Sequence, residues 1–153
     1  MSGDPSNAVI FAGEFRHGID PKNRITIPSA WRSGREGGDE FFVRIDSTGS
    51  CLVVMPHAEF RKTLEKFESI PNASPRERQQ AIRQFSAESL PCSADKQGRM
   101  VLPVDFCGRI GLQSDAILVG AFGRFEVWNP ARWEATKAVE AATYQNLASQ
   151  LGL

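Results

Sequence analysis

Two short segments of this 153-residue chain each present an arginine at the same place in a turn motif. The first is Asp20-Pro-Lys-Asn-Arg24, and the second, 75 residues later, is Asp95-Lys-Gln-Gly-Arg99. The planar guanidinium fork of arginine matches phosphate oxygens, or the O6 and N7 atoms of guanine in the major groove. Each motif also contains a lysine, Lys22 or Lys96, although turn closure itself requires none. The pattern therefore favours contact with a polyanion.

The remaining residues of each motif explain how the arginine is held. Asp20 and Asp95 can accept hydrogen bonds from the backbone two residues further on. Gly98 and Asn23 can adopt the left-handed conformation that closes such a turn, Gly freely and Asn at a modest cost. The alternative is that each Asp and Arg pair only locks its own turn. An exposed pair of this kind contributes about 0 to 1 kcal/mol.

The elements around the motifs repeat as well. Short strands are predicted at 14–19 and 24–27, on either side of the first turn, because β-branched and apolar residues cluster there. A proline follows each motif, and an aromatic residue stands three positions after that proline, as Trp31 or Phe106. A predicted hairpin and a helix complete each half. Two similar units of about 60 residues account for this organisation.

The repeat divides the chain into five predicted parts. Ser74-Pro-Arg-Glu77 is a capping box that starts a helix between the two units. The first residues are small and polar, which is typical of a disordered terminus. We predict a disordered leader at 1–10, a first repeat at 14–61, a helical connector at 62–89, a second repeat at 90–133 and a C-terminal helix at 134–153.

Composition indicates a globular protein without a disulfide framework. The chain is 41% hydrophobic and 24% charged, which is ordinary for a folded domain. Its three cysteines are odd in number and lie in or beside apolar runs, as expected of reduced cytosolic residues. No Cys or His spacing indicates a metal site, and no cofactor is expected. The N-terminal apolar run is too short to span a membrane, so a cytoplasmic location is predicted.

Charge is balanced overall but segregated along the chain. The 18 basic and 18 acidic residues cancel, so attraction to nucleic acid must come from a local patch. Residues 14–35 carry five basic and two acidic residues, a balance of +3, while residues 36–59 have a balance of −4. Arg16 belongs to the basic segment and is a further candidate DNA contact. The alternative interpretation is two ordinary solvated faces.

An enzyme is the competing class of function. A cysteine with His17 or His57 as its base would supply a nucleophile. Spacing suggests no third group to orient that base, so the sequence predicts that the chain is not an enzyme.

Longer motifs resemble a known family. They are Phe11-Ala-Gly-Glu-Phe15, His17, the segment 19–28, the second turn motif at 95–99 and the segment 119–128. Together these segments are similar to the MraZ family, bacterial transcription regulators built from two AbrB/SpoVT-type repeats. The resemblance covers residues 11–150.

The resemblance implies both a fold and a function. The fold is α+β and mainly β, a swapped-hairpin barrel in which two repeats interlock, with flanking helices. Family members form homo-oligomeric rings on double-stranded promoter DNA. They bind G-rich direct repeats upstream of the division and cell-wall gene cluster that includes their own gene. Such a protein is cytoplasmic and associated with the nucleoid.

The resemblance also assigns candidate residues. Arg24 and Arg99 would contact DNA, and Lys22 and Lys96 would serve the phosphates. Asn23 stands where the motif has glycine, yet it still belongs to the predicted DNA-binding loop. Because the basic segment surrounds the first turn, we expect Arg24 to be the main contact and Arg99 to be largely structural.

Another class of function shares this fold. An AbrB-like antitoxin, or a ring that binds proteins without promoter DNA, fits the same two repeats. Residues 131–153 would then be a partner-binding helix.

Overall fold

The computed structural model describes residues 8–153. Residues 1–7 of the predicted leader lie outside the described residues. A single-turn 3₁₀ helix at Ser29–Trp31 stands where the sequence predicts a short helix. In chain order, the strands and α-helices are β1 (Glu14–Gly18), β2 (Arg24–Thr26), β3 (Asp39–Ile45), β4 (Leu52–Pro56), α1 (His57–Ser69), α2 (Pro75–Ala87), β5 (Leu90–Ala94), β6 (Arg99–Val101), α3 (Val104–Arg109), β7 (Asp115–Gly120), β8 (Phe125–Trp128) and α4 (Pro130–Gln150).

The eight strands form one antiparallel sheet in the order β1-β7-β8-β4-β3-β5-β6-β2. Its two edge strands, β1 and β2, are consecutive in the chain and are joined by the first turn motif. The sheet therefore curves into a nearly closed barrel. The predicted fold class, a mainly β barrel built from two repeats with flanking helices, is confirmed.

The two halves of the chain interlock through their strand pairs. Strands β1 to β4 come from the first half and β5 to β8 from the second. Four of the strand pairs join the halves, namely β1 with β7, β4 with β8, β3 with β5 and β2 with β6. The eight-stranded sheet therefore needs both halves, and both turn motifs depend on one shared core.

The core fills the barrel interior. Ile25 of β2 and Met100 of β6 are paired in register and are 1% and 0% exposed. Ile27 and Leu102, which follow these strands, are also fully buried. Burial of such side chains stabilises the fold by about 1.5 to 3 kcal/mol each. The short β2 and β6 strands, which follow the two turns, are thus anchored to the core by these buried side chains.

The helices cover the outside of the barrel unequally. The capping box predicted at Ser74 and Glu77 is confirmed at the start of α2. Phe60 of α1 and Phe85 of α2 pack on a second apolar cluster against the outer side of β4. Helix α4, in contrast, packs through Trp133 on Trp128, and its residues 137–147 are exposed. Among the helices of residues 8–153, none is long and apolar enough to cross a membrane.

Candidate nucleic-acid interface

The first turn is held by one carboxylate. Asp20 Oδ1 accepts hydrogen bonds from the backbone N–H groups of Lys22 at 2.9 Å and Arg24 at 2.8 Å. Asp20 Oδ2 accepts from Arg24 Nε at 2.7 Å. Asn23 takes a left-handed conformation with φ of 61°, and its N–H donates to the Asp20 carbonyl. Arg24 is therefore fixed both at its backbone and at its side chain.

The second turn repeats this geometry. Asp95 Oδ1 accepts from the N–H groups of Gln97 at 2.9 Å and Arg99 at 3.0 Å, and Oδ2 accepts from Arg99 Nε at 3.0 Å. Gly98 has a φ of 80°. The two turns are thus structural equivalents.

Both aspartates are held in the charged form. The backbone N–H of Arg24 is the main cause that lowers the pKa of Asp20, and the Arg24 guanidinium adds to it. The Arg99 backbone and guanidinium lower the pKa of Asp95 in the same way. A carboxyl whose pKa is depressed in the folded protein stabilises the fold above its ordinary range, and that stabilisation disappears as pH falls through the depressed value. The turns are consequently intact at neutral pH.

Strands β2 and β6 place the two arginines on one surface. Arg24 lies opposite Val101, and Thr26 lies opposite Arg99. Because Ile25 and Met100 face the core, these four side chains share the outward face, which we call the ribbon face. Arg24 and Arg99 are diagonal neighbours across the strands, a relation that spans about 7 to 8 Å. A two-stranded ribbon of this kind fits the major groove of B-form DNA.

The guanidinium groups of the two arginines differ in what remains available. Asp20 engages Nε of Arg24, and within residues 8–153 its two Nη atoms make no hydrogen bond. In Arg99, Nε binds Asp95 and Nη2 donates to Gln97 Oε1 at 2.6 Å. Recognition of guanine uses two donors at once. All four Nη–H donors of Arg24 are available for such a pair, whereas Gln97 occupies one of the four in Arg99.

Asn23 is engaged inside the protein. Its side-chain amide donates to the Leu102 carbonyl at 2.7 Å and contacts the Cys107 sulfur at 3.5 Å. The amide thereby joins the first turn to the segment after β6. In this geometry Asn23 supports the loop from within.

Arg32 takes the equivalent place at the second turn. Its Nε donates to the Ile27 carbonyl at 2.9 Å, just as Asn23 donates to Leu102 in the other half. A Cβ atom on Gly98 would come within 2.3 Å of Arg32 Nε. At the first turn, Asn23 carries a side chain and faces the small Cys107. At the second turn, Gly98 carries no side chain and faces the larger Arg32.

This complementarity predicts a coupled effect on stability. Gly98→Ala is expected to destabilise the protein by about 1.5 to 3.5 kcal/mol, because strain from positive φ adds to the cost of moving the Arg32 guanidinium away from the Ile27 carbonyl. Gly34→Ala is the matched control, since Gly34 has the same φ of 80° and open space around it. Urea unfolding of both variants, and of Gly98→Ala in an Arg32→Ala background, measures the coupling. An equal cost of Gly98→Ala in both backgrounds would show that Arg32 does not set the glycine requirement.

The basic segment of the sequence is dispersed in the structure. Arg16 on β1 pairs with Asp115 of β7 at 2.8 Å, so its charge is neutralised locally. Arg32 lies over the second turn rather than the first. Lys22 and Lys96 are exposed at the tips of their turns and form no salt bridge within residues 8–153. The second turn thus has more positive charge beside it than the sequence order suggests.

The cysteines are poorly suited to act as nucleophiles. Cys51, Cys92 and Cys107 are buried and reduced. Burial raises the pKa of Cys92 to about 11 and also raises the pKa values of Cys51 and Cys107. A raised pKa disfavours the thiolate, which is the reactive form. No cluster of His, Cys, Asp or Glu suited to a metal ion occurs in the described part of the chain.

Comparisons with known proteins agree with the repeat architecture. The family described as "MraZ protein, putative antitoxin-like" matches this chain twice, at residues 10–83 and 86–150. The chain belongs to the MraZ family. Each match contains its own turn motif and its own arginine of the ribbon face. The two matches therefore coincide with the two interlocked halves of the barrel.

Individual MraZ proteins are similar over nearly the whole chain. The transcriptional regulator MraZ of Pediococcus pentosaceus is 35% identical over 142 residues, which are 93% of this chain and 96% of that protein. The transcriptional regulator MraZ of Lachnoclostridium phytofermentans is 33% identical over 144 residues, 94% and 99% of the two chains. That of Symbiobacterium thermophilum is 34% identical over 140 residues, 92% and 99%. These names support a role in transcription regulation, which is not an enzymatic role.

Proposed function

We propose that this protein regulates transcription by binding double-stranded promoter DNA through the ribbon face. Two equivalent turns support this most directly, because each presents an arginine whose Nε is fixed by an aspartate. Fixing the guanidinium beforehand reduces the ordering cost of binding. The remaining donors can then recognise guanine O6 and N7 in the major groove.

The lysines at the turn tips extend this contact to the backbone. Lys22 and Lys96 flank the ribbon face at its two ends and would neutralise phosphates on either side of the groove. Arg32 adds charge beside the second turn. Arg16 contributes less, because Asp115 already neutralises it. Asn23 contributes by holding the first turn in place.

One subunit offers too few contacts for a specific site. A bidentate arginine discriminates between bases by about 1 to 3 kcal/mol, whereas specific sites require about 4 to 10 kcal/mol over non-specific DNA. We propose that several copies assemble in a homo-oligomeric ring and engage G-rich direct repeats upstream of the protein's own gene, in the division and cell-wall cluster. Linked binding then raises affinity without further contacts. The protein would act in the cytoplasm, at the nucleoid.

Helix α4 supports an assembled state. After Lys137, which pairs with Glu14 of β1 at 3.0 Å, residues 138–147 are exposed, and Val139, Tyr144 and Leu147 are 81%, 68% and 55% exposed. A helix segment of this length is marginal in water without packing. A second copy of the chain would cover this apolar face.

Repeat number tests the proposal. A duplex with several direct repeats is expected to bind about 10² to 10⁴ times more tightly than a duplex with one repeat. Affinity should also fall steeply with salt, with a slope of about −0.9 for each phosphate neutralised. The control duplex has its repeats shifted by about five base pairs, half a helical turn, which moves them to opposite faces of the DNA. Equal affinity for the single, repeated and shifted duplexes in anisotropy titrations would contradict the ring mechanism.

A second candidate function follows from the family description. An antitoxin-like protein would use the exposed face of α4 to hold a protein partner, with no need for the ribbon face. The same titrations separate the two functions, because such a protein would show no preference for promoter DNA over a scrambled duplex of equal length.

A further inference from the structure

The ribbon face contains an exposed valine between the two arginines. Val101 is 55% exposed and lies directly opposite Arg24 in the β2 and β6 pairing. Side chains of residues paired in this way have Cβ atoms about 4.5 to 5.5 Å apart. Val101 therefore lies beside the stem of the Arg24 side chain, next to the surface that a ligand of Arg24 would cover.

The backbone below Val101 is well anchored. Met100, its neighbour in β6, is fully buried, and the Leu102 that follows is also 0% exposed. The Leu102 N–H donates to the Asn23 carbonyl at 2.9 Å, which extends the pairing past the strand end. The Val101 side chain is therefore held in a fixed position, in which it can discriminate between ligands of different shape.

The surroundings of Val101 favour an anionic partner. Arg24 and Arg99 share its face, and the aspartates of the two turns are already engaged with these arginines. A single exposed apolar residue is common on protein surfaces, and a protein partner would need a larger apolar patch. A nucleic acid supplies negative charge together with one small apolar group in the major groove, the C5 methyl of thymine.

We propose that Val101 recognises the C5 methyl group of a thymine that neighbours the guanine bound by Arg24. Successive base pairs are about 3.4 Å apart along the helix and the Cβ atoms of paired residues about 4.5 to 5.5 Å apart, so the two side chains of the pair can reach neighbouring base pairs. The ribbon face thus recognises a guanine and an adjacent thymine as one unit. This inference rests on the proposed DNA-binding function and adds a base to the sequence that the protein reads.

Deoxyuridine provides the probe, because it lacks only the C5 methyl of thymine. Each thymine in the part of the promoter duplex that the wild-type protein protects is replaced in turn by deoxyuridine. The affinity of the protein for each duplex is then measured by anisotropy. At one thymine next to a guanine, the wild type is expected to bind about fourfold more weakly for each repeat, the value of one buried methyl group. Val101→Ala is expected to bind the thymine and uracil duplexes equally.

Matched variants keep the test decisive. Val104 is 73% exposed at the start of α3, off the ribbon face, and Val104→Ala should keep the thymine preference. Val101→Thr retains a methyl group and should keep part of it. Indifference of the wild type to uracil at every position, or an undiminished preference in Val101→Ala, would overturn the proposal. A changed oligomer mass of Val101→Ala in light scattering would also overturn it, since Val101 would then be a subunit contact.

Failure of this inference differs from failure of the DNA-binding function. If wild-type binding depends on Arg24 but ignores the methyl group, only the role of Val101 is wrong. If the wild type does not prefer the promoter duplex at all, or Arg24→Ala binds it equally well, both are wrong.

Discussion

Arg24→Ala is expected to lower the affinity for a promoter duplex about 5- to 150-fold for each repeat contacted, which corresponds to the loss of one bidentate contact to guanine. The loss should multiply across a multi-repeat site, because every subunit in contact carries the change. Arg24→Lys should recover only part of this affinity, because the ammonium keeps the charge and can donate to O6 and N7 but lacks the planar fork whose Nε is held by Asp20. Anisotropy titrations at fixed salt measure all three proteins.

Two controls define this result. Arg61 is exposed on α1, which packs on β3 and β4 on the opposite side of the barrel from β2 and β6, so Arg61→Ala removes equal charge away from the ribbon face. Its effect should be small and independent of sequence. Arg99→Ala should fall between the two, because Gln97 already occupies one of its donors. Unchanged promoter affinity of Arg24→Ala in an intact oligomer would contradict the assignment.

The double variant Tyr144→Glu and Leu147→Glu is expected to dissociate the oligomer. These residues are three positions apart on α4 and share one face, where two carboxylates would oppose burial against another subunit. Affinity for multi-repeat DNA should then fall about 10²- to 10⁴-fold, while affinity for a single repeat stays the same. Light scattering measures the mass, and titrations with both duplexes measure binding.

The control places the same charge on another side of the helix. Gln145 and Ser149 are exposed and four positions apart, so Gln145→Glu with Ser149→Glu leaves the apolar face intact. This variant should keep the mass and the affinity of the wild type. Dissociation of both variants, or of neither, would show that the exposed face of α4 is not the subunit contact.

The architecture was largely readable from the sequence because the turn motifs are local. An aspartate, a residue with positive φ and an arginine lie within five positions, and their chemistry determines the turn regardless of distant contacts. The repeat of that motif predicted two similar units, and the resemblance to the MraZ family implied that these units form an interlocked barrel. Strand bounds shifted by one or two residues, and the helix predicted after Pro28 is a single 3₁₀ turn.

The junctions between the halves could not be predicted. Arg32 and Gly98 are 66 residues apart, and no periodic pattern links them. The same applies to Asn23 and Cys107. The sequence therefore indicated a basic patch around the first turn, whereas folding moves Arg32 to the second turn. We still propose Arg24 as the main contact, but for a different reason, namely the free Nη donors that only the side-chain geometry reveals.

Protection of guanine N7 from dimethyl sulfate tests the central proposal most directly, because this reagent methylates the major-groove atom that Arg24 is proposed to bind. With saturating wild-type protein on the DNA upstream of its own gene, we predict protected guanines at the same position in successive direct repeats. Arg24→Ala, raised to a concentration that restores occupancy, should leave those guanines reactive, and Arg61→Ala should protect them fully. Protection by Arg24→Ala equal to that of the wild type, or no protection of guanine N7 by the wild type at full occupancy, would contradict recognition of guanine through the ribbon face.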